Sequence, residues 1–226
     1  MRYENKNAFD YENGFYLTSD VSRLGNILSH YELYKKIVHL PGDIVECGVF
    51  KGGSLIQFAS FRELLENERS RKIIGFDAFG RFPSSPNDPD NSVINNDNDF
   101  IDNWNRLFSD EFLTKEDIYD SLKHKGISNV ELVEGNIMET VEIFLHKCPA
   151  TQIALLHIDV DVYHPTKKAL DLLFPRIVRG GVVVFDDYGT IEGETMAVNE
   201  FMEDQKEYAL QKFTFSQAKP SFFVKK

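Results

Sequence analysis

Two apolar runs of the chain each end in a pair of aspartates. The run "ALLHIDVDV" carries Asp159 and Asp161, and the run "GGVVVFDDYG" carries Asp186 and Asp187. On a strand, Asp159 and Asp161 share one face because side chains alternate with period two. If the two runs are adjacent parallel strands, at least three carboxylates converge at one sheet edge, where they suit a hard divalent cation such as Mg²⁺ or Mn²⁺. The alternative is that these acids cap helices or share protons.

A glycine-rich turn and a separate acid predict a second binding feature. In "VECGVFKGGSL", Gly48 and Gly52 allow a tight turn and a close approach of backbone to ligand, and Ser54 is placed to cap the following helix. The spacing fits neither a P-loop nor GxGxxG, so phosphate is not the expected ligand. Asp77 ends the run "IIGFD", where it can accept hydrogen bonds from a ribose diol. Together these features favour an adenosine-containing ligand. Strand-to-helix packing and a capping role for Asp77 are the alternatives.

Histidines and tyrosines flank the aspartates. His157 lies inside an apolar strand, which favours a structural histidine over a general base. His164 precedes Pro165, and its sequence position fits a substrate contact and a solvent-exposed side chain equally well. Tyr163 and Tyr188 close the two acidic motifs, and aromatic residues there serve the core as often as a site.

The elements that must position these residues alternate between short apolar runs and helical patterns. This βαβ alternation begins after Pro41-Gly42, and its apolar runs are continuous, as in parallel strands covered on both faces. The segments "LQKFTFSQ" and "PSFFVKK" predict two closing antiparallel strands. Before the break, residues 1–40 predict an appended helical segment. Its apolar stripe is predicted to comprise Val21, Leu24, Ile27, Leu28, Tyr31 and either Leu33 or Tyr34.

One segment interrupts the alternation. Residues 80–104 are crowded with Pro, Asn, Asp and Ser, and they leave directly from a predicted strand end, the edge at which open α/β sheets bind ligands. We expect a lid there, with Phe100 and Trp104 as its apolar underside. The alternative is a surface insertion without a functional role, which the same two aromatic residues anchor to the domain.

Composition excludes several classes of protein. A chain of 226 residues predicts one α/β domain, and a net charge of −11 with no Lys/Arg cluster argues against nucleic-acid binding. No apolar run approaches the roughly 20 residues of a membrane span, and the polar start does not resemble a signal peptide. Cys47 and Cys148 belong to no ligand pattern. We therefore expect a cytoplasmic protein with reduced cysteines.

The motifs together resemble the macrocin O-methyltransferase family, whose members methylate sugar hydroxyls. The resemblance covers roughly residues 40–205 and rests on "GDIVECGVFKGGS", "IIGFDAFGRFP", "LLHIDVDVYHPT", "VVVFDDYG" and "AVNEF". It implies a class I methyltransferase (Rossmann-like) fold: a mostly parallel sheet with helices on both faces, an N-terminal helical segment and a lid insertion. It further implies S-adenosylmethionine as methyl donor and a divalent metal, expected to be Mg²⁺.

The resemblance also implies roles for individual residues. The metal ligands would be Asp159, Asp186 and Asp187, and the base would be Asp161 or Asp159. The residues predicted to bind the cofactor, from the resemblance and from the turn, are Glu46, Gly48, Gly52, Ser54, Asp77 and Asp159.

Residues 41–226 would form the methyltransferase domain, with the lid at about 80–104, and the acceptor would be a hydroxyl of a small molecule or glycan. The appended helix and the family resemblance favour a homo-oligomer. Two other functions remain open from the sequence. One is a metal-dependent hydrolase or hydroxylase that uses the aspartates alone, and the other is a non-catalytic S-adenosylmethionine-binding protein. A hydrolase or hydroxylase of this kind would give the glycine turn and Asp77 no adenosine-containing ligand to bind.

Overall fold

A computed structural model of the protein describes residues 4–86, 92–109, 112–216 and 219–226. Its strands are β1 (Asp43–Cys47), β2 (Ile73–Asp77), β3 (Val130–Glu134), β4 (Ile153–Ile158), β5 (Ile177–Phe185) and β6 (Ser221–Val224). Its α-helices are α1 (Ala8–Thr18), α2 (Val21–Ile37), α3 (Gly53–Leu65), α4 (Ser92–Leu107), α5 (Lys115–His124), α6 (Ile137–Lys147), α7 (Tyr163–Leu173) and α8 (Glu192–Asp204).

These strands form one sheet in the order β3-β2-β1-β4-β5-β6. The first five pair in parallel, and β6 pairs antiparallel to β5. The order reverses between β1 and β4, which is where open sheets of this kind form a ligand-binding crevice. The predicted mostly parallel α/β sheet is confirmed.

The prediction of two closing strands is half wrong. Residues 221–224 form β6, but the preceding segment contributes a single bridge, between Gln211 and Phe222. Phe213 stacks on Phe222 with ring centroids 4.9 Å apart, and Ser216 donates its amide to the carbonyl of Phe213 in a turn. Aromatic packing and a turn therefore take the place of the second predicted closing strand.

Two hydrophobic cores cover the two faces of the sheet. Alternate residues of β5 divide between them, with Val182 and Val184 in one core and Val183 and Phe185 in the other. All four are buried, which explains why the parallel strands have continuous apolar sequences.

The N-terminal segment is helical, as predicted, but the predicted apolar stripe of α2 is largely wrong. Its buried face is Gly25, Ser29, His30, Leu33, Tyr34 and Ile37. Val21 is 79% exposed, whereas a Cβ at Gly25 would lie 2.9 Å from the backbone oxygen of Phe215. The helix thus packs closely through small and polar residues and leaves apolar residues on its outer face. A sequence pattern cannot distinguish an outward apolar stripe from an inward one.

The segment predicted as a loop at 80–104 is helical in its second half, because α4 begins at Ser92. Phe100, Ile101 and Trp104 follow helical spacing, and Ile101 is buried. Residues 87–91 lie outside the described part of the chain, so the middle of the predicted lid is not described. None of the helices among the described residues combines the length and the apolar composition of a membrane span.

Candidate active site

The aspartates converge at the carboxyl edge of β4 and β5. The two strands are adjacent and parallel, with Ile158 opposite Phe185, and the amide of Asp186 donates to the carbonyl of Ile158 over 3.0 Å. Carboxylate oxygens of Asp159, Asp161 and Asp187 lie within 4.8 Å of one another. These three residues are called the aspartate cluster below.

A strained turn, rather than strand alternation, positions Asp161. β4 ends at Ile158, so Asp159 and Asp161 both lie beyond it. Asp161 has a φ of 61°, and the amide of Val162 donates to the carbonyl of Val160 over 2.6 Å across it. This is a tight turn of the kind that is rare in proteins and concentrated at functional sites.

The aspartate cluster carries more negative charge than it can hold fully ionised. Burial raises the pKa of Asp159 well above its usual value, and the charge of Asp186 raises it further. Burial and the charge of Asp187 raise the pKa of Asp161 in the same way. Glu194 lies beside the cluster, accepts a 2.9 Å hydrogen bond from the amide of Asp187, and has its pKa raised by burial. A cation would relieve this repulsion.

Asp186 points to different partners. One oxygen lies 3.8 Å from Nε2 of His157, and the Nδ1 atom of that histidine is 2.8 Å from a carboxylate oxygen of Glu46. Burial disfavours the charged form of His157, but Asp186 and Glu46 outweigh burial and raise its pKa. Burial would raise the pKa of Asp186, but His157 more than offsets this and holds it low. The predicted ligand set is thus divided, with Asp159 and Asp187 in the cluster and Asp186 beside His157.

Lys219 supplies a positive charge at the aspartates. Its ammonium nitrogen lies 2.5 Å from an oxygen of Asp187 and 3.8 Å from one of Asp186. Burial would lower the lysine pKa, but the bond to Asp187 and the charges of both acids raise it. Lys219 therefore stays charged and partly neutralises the site.

A pocket opens beside the aspartate cluster and shares two of its residues. Gly48 of the glycine turn lines this pocket, and so do three of the acids at strand ends, Asp77, Asp159 and Asp161. The remaining wall is largely apolar and includes Phe50, Phe76, Ala78, Phe82, Trp104, Phe112, Leu113, Ile137, Met138 and Val160. A Cβ at Gly48 would lie 1.7 Å from the carbonyl oxygen of Asp159, so only glycine allows β1 and β4 to approach here.

Three of the predicted cofactor residues do not line this pocket. Glu46 is fully buried behind the site, where it holds His157. Gly52, with a φ of 78°, ends the turn as the N-cap of α3. Ser54 lies inside that helix, and no side chain caps its first turn, so the predicted capping role is wrong.

Asp77 holds the glycine turn in place. One carboxylate oxygen accepts the amides of Val49 and Phe50 at 2.7 and 2.9 Å, and the other accepts the amide of Phe79 at 2.6 Å. Phe50 and Phe79 have φ angles of 48° and 47°, which are uncommon for bulky residues. Because an ionised carboxylate has about four acceptor positions, roughly one remains for a ligand hydroxyl.

The start of the predicted lid, together with α4, covers the pocket from one side. Asn105 forms two hydrogen bonds with the backbone of Phe82, and Trp104 packs against Phe50 of the turn with ring centroids 5.2 Å apart. Asp97 accepts the amide of Tyr163 at 2.8 Å, where α7 lacks a cap of its own. α4 is therefore tied both to the loop and to the helix that follows the aspartates.

The other histidine and the tyrosines have local partners. The ring of His164 packs edge-on against Tyr163 at 5.2 Å, and its Nε2 atom is buried without a described hydrogen-bond partner. The hydroxyl of Tyr163 donates to Glu200, and that of Tyr188 donates to Asn199. These two hydroxyls are engaged with residues of α8.

Four residues at or near the site were missed from sequence: His30, Asp97, Glu194 and Lys219. Glu194 could have been found, because it shares helical spacing with Ala197, Val198 and Phe201 and is thus an acid on an apolar face. His30 likewise precedes Leu33 and Tyr34 by three and four positions. No local signal marks Lys219, which reaches the acids only through the return of the chain into β6.

Comparison with known proteins identifies the class. The fold matches those of solved methyltransferase structures, among them the O-methyltransferase NovP, with a TM-score of 0.74 and 23% identity over 90% of this chain and 79% of that one. The fold is that of a class I methyltransferase. The profile of the macrocin-O-methyltransferase (TylF) family matches residues 22–211, and the chain belongs to that family.

Two curated relatives are similar in sequence. The 8-demethyl-8-(2,3-dimethoxy-alpha-L-rhamnosyl)-tetracenomycin-C 4'-O-methyltransferase of Streptomyces olivaceus is 27% identical over 154 residues, which are 66% of this chain and 54% of the relative. The demethyldecarbamoylnovobiocin O-methyltransferase of Streptomyces niveus is 25% identical over 165 residues, 72% of this chain and 59% of the relative. The chain thus spans little more than half the length of these two relatives.

Proposed function

We propose that the protein transfers the methyl group of S-adenosylmethionine to a hydroxyl of a sugar, assisted by a divalent metal ion, preferentially Mg²⁺, at the aspartate cluster. The observation that carries the proposal is that Asp159 and Asp161 belong both to that cluster and to the wall of the adjoining pocket. Methyl donor and acceptor hydroxyl would therefore meet at these two acids. Family membership and the sugar-modifying activities named for the relatives support this choice.

The pocket fits an adenosyl cofactor. Gly48 lets the ends of β1 and β4 approach closely at the wall of the pocket, while Phe50, Ile137 and Met138 offer apolar surface for an adenine ring. Asp77 retains about one acceptor position for a ribose hydroxyl. When bound, S-adenosylmethionine supplies an already activated methyl group on its sulfonium.

The aspartate cluster fits a hard cation. It presents only carboxylate oxygens, the donors that Mg²⁺ prefers, and two of its members have pKa values raised by burial and mutual repulsion. We propose Asp159 and Asp187 as ligands, with Asp186 as the third ligand implied by the family resemblance. Such an ion supplies charge that lowers the pKa of a nearby hydroxyl and orients it.

The protein's own residues would perform the remaining work. The strained turn at Asp161 directs its carboxylate to the edge of the pocket, where it would accept the proton of the acceptor hydroxyl as general base, with Asp159 as the alternative base. Trp104 and the loop at residues 82–86 would exclude water from the reacting centre, forming a lid with α4. Holding the hydroxyl oxygen in line with the methyl group is the main catalytic contribution.

The wider setting is also proposed. The acceptor would be a nucleotide-linked sugar, a surface glycan or a glycosylated natural product, and the protein would act in the cytoplasm. We further propose a homo-oligomer, because the outer faces of α1 and α2 expose large apolar side chains. The exposed fractions are 74% for Phe9, 66% for Tyr16, 83% for Leu17 and 79% for Val21.

A methyl-transfer assay tests the proposal. The protein would be incubated with methyl-labelled S-adenosylmethionine and a panel of nucleotide-linked sugars and glycosides, with Mg²⁺ or with EDTA. We expect label on an acceptor in Mg²⁺ and none in EDTA. Asp161→Asn should lower turnover by roughly 10²- to 10⁴-fold, whereas the exposed control Asp171→Asn should not. Cleavage of an acceptor without label transfer would indicate a hydrolase, and equal transfer in EDTA would remove the metal from the mechanism.

A further inference from the structure

A second group of metal-ligand side chains lies outside the aspartate cluster. Atoms of His30, His157 and Asp186, one from each residue, lie within 4.8 Å of one another. They come from α2, β4 and the residue after β5, so three separate elements meet at this point. None of the three lines the proposed cofactor pocket.

Both imidazoles have the same hydrogen-bonding pattern. Nδ1 of His157 is 2.8 Å from Glu46 Oε1, and Nδ1 of His30 is 2.8 Å from Gln57 Oε1. Because both partners are acceptors, each Nδ1 carries a hydrogen and each Nε2 is the nitrogen left to bind an ion. At His157 a metal would replace the Nε2 proton that the raised pKa of this histidine favours in the metal-free protein. A hydrogen-bond acceptor on one ring nitrogen, which leaves the other nitrogen for an ion, is typical of metal-ligating histidines.

The two free nitrogens are buried and have no hydrogen-bond partner among the described residues. Both Nε2 atoms are inaccessible, and the side chains of His30 and His157 are 1% and 0% exposed. An oxygen of Asp186 lies 3.8 Å from His157 Nε2, which is too distant for a hydrogen bond. Leaving two imidazole nitrogens buried and unsatisfied is unfavourable unless a third species lies between them.

The spacing and charge suit a metal ion. Ligand atoms about 2.1 Å from a tetrahedral Zn²⁺ are roughly 3.4 Å apart, so the 3.8 Å between His157 and Asp186 requires only a small side-chain rotation. The buried carboxylate of Glu46 and the partly buried carboxylate of Asp186 add negative charge that favours a cation. Asn26 lies one helical turn before His30, and its amide is 3.4 Å from Asp186, so it is placed near a fourth ligand position.

We propose that His30, His157 and Asp186 bind a late first-row transition-metal ion, Zn²⁺ or Co²⁺, with a structural role. Asp186 would give this ion its Oδ1 atom, which faces His157 and Asn26, and would keep Oδ2, which lies 3.8 Å from Lys219, for the ion at the aspartate cluster. Two histidine nitrogens distinguish this donor set from the carboxylates of the aspartate cluster, so the two sites select different metals. Bound metal would fasten the N-terminal helix α2 to the carboxyl ends of β4 and β5. The inference does not depend on methyl transfer. A single water molecule could contact the same three atoms, and a metal titration separates the two possibilities.

The test is a titration of the metal-free 226-residue protein with Co²⁺ alone. We expect the wild type to develop the visible absorption of a nitrogen-ligated Co²⁺ ion. We expect the His30→Gln variant not to develop it. The matched control is His39→Gln, which alters an exposed histidine and should keep the absorption. Asp187→Asn, which removes a member of the aspartate cluster but none of the three proposed ligands, should also keep it. Absence of the absorption from the wild type, or its persistence in His30→Gln, would overturn the proposal.

A second measurement avoids dependence on the folding of His30→Gln. In the wild-type protein labelled with ¹⁵N at its six histidines, Zn²⁺ should shift the Nε2 resonances of two residues. It should also raise the melting temperature in a manner reversed by a chelator. Unchanged Nε2 resonances at saturating Zn²⁺ would contradict the metal site and favour the bound water. Either result leaves the methyl-transfer assay unaffected.

Discussion

The ammonium nitrogen of Lys219 lies 2.5 Å from a carboxylate oxygen of Asp187. This contact joins the segment that leads into β6 to the aspartates at the end of β5. It places a fixed positive charge next to the proposed binding position of a divalent cation. The lysine therefore stabilises the aspartate cluster when no metal is bound and competes with a metal when one is present.

Replacing Lys219 with Met tests this competition. We expect Mg²⁺ affinity to rise by roughly three- to tenfold, the scale of a screened repulsion between like charges near a protein surface. The metal-free variant should melt at a lower temperature than the wild type, because the acids lose a neighbouring cation. Isothermal titration and thermal unfolding would measure the two effects, with the exposed Lys206→Met as control. Weaker Mg²⁺ binding by Lys219→Met would instead indicate that the lysine orients Asp187.

Replacing Asp77 with Ala should weaken binding of S-adenosylhomocysteine by about 1.5 to 3 kcal/mol, the scale for hydrogen bonds to a charged group. Much of the lost affinity would be indirect. The carboxylate accepts the amides of Phe50 and Phe79 and so holds these residues, which have positive φ, in the conformation that shapes the pocket. The variant should therefore also unfold at a lower temperature. Asp120→Ala, on the exposed face of α5, is the control. Unchanged cofactor affinity in Asp77→Ala would limit this residue to a structural role in the turn.

Asp97 should make stability depend on pH. Burial raises its pKa to about 6, and the charge of Glu192 adds to the effect. A carboxyl group with a higher pKa in the folded chain contributes stability at low pH that is lost as pH rises through about 6. The melting temperature of Asp97→Asn relative to wild type should therefore be higher at pH 7.5 than at pH 5. Asp99→Asn, at an exposed residue of the same helix, is the control. An equal difference at both pH values would contradict the assignment.

The loop at residues 80–86 should become more protected when ligands bind. We expect hydrogen exchange of its amides and those of α4 to slow on addition of S-adenosylhomocysteine, and to slow further with an acceptor, because both elements border the pocket. Asn105→Ala removes both hydrogen bonds to Phe82 and should speed exchange in the loop without ligand. Equal protection in the free and doubly liganded protein would make the segment an inert insertion.

Much of the fold and part of the site follow from local sequence. The continuous apolar runs predict buried parallel strands. Because the carboxyl ends of parallel strands lie at the same edge of a sheet, the acids that follow two of these runs are predicted to lie close together. Asp159 and Asp187 meet for that reason. The need for close backbone approach at Gly48 is predictable from the glycine-rich turn, but the neighbour with which its Cβ would collide is the backbone of Asp159 and not the predicted ligand.

Tertiary contacts determine what the sequence could not. The orientation of Asp186 depends on His157 and on which face of α2 packs inward, and the outward apolar residues of that helix misdirected the prediction. Lys219 is separated from Asp187 by 32 positions, so no local pattern relates them. The sequence did not predict α4, because its many Asn and Asp residues are typical of a loop. In the structure, packing of Trp104 on Phe50 stabilises the helix.

Calorimetric titration with S-adenosylhomocysteine tests the central claim most directly, because it requires no acceptor. The account predicts that the wild type binds one equivalent and that Ala78→Trp, which fills the pocket, does not. Leu64→Trp places the same side chain at a position that is 75% exposed and should bind like the wild type. No heat of binding with the wild type, or equal affinity in Ala78→Trp, would contradict the assignment of this pocket to the methyl donor.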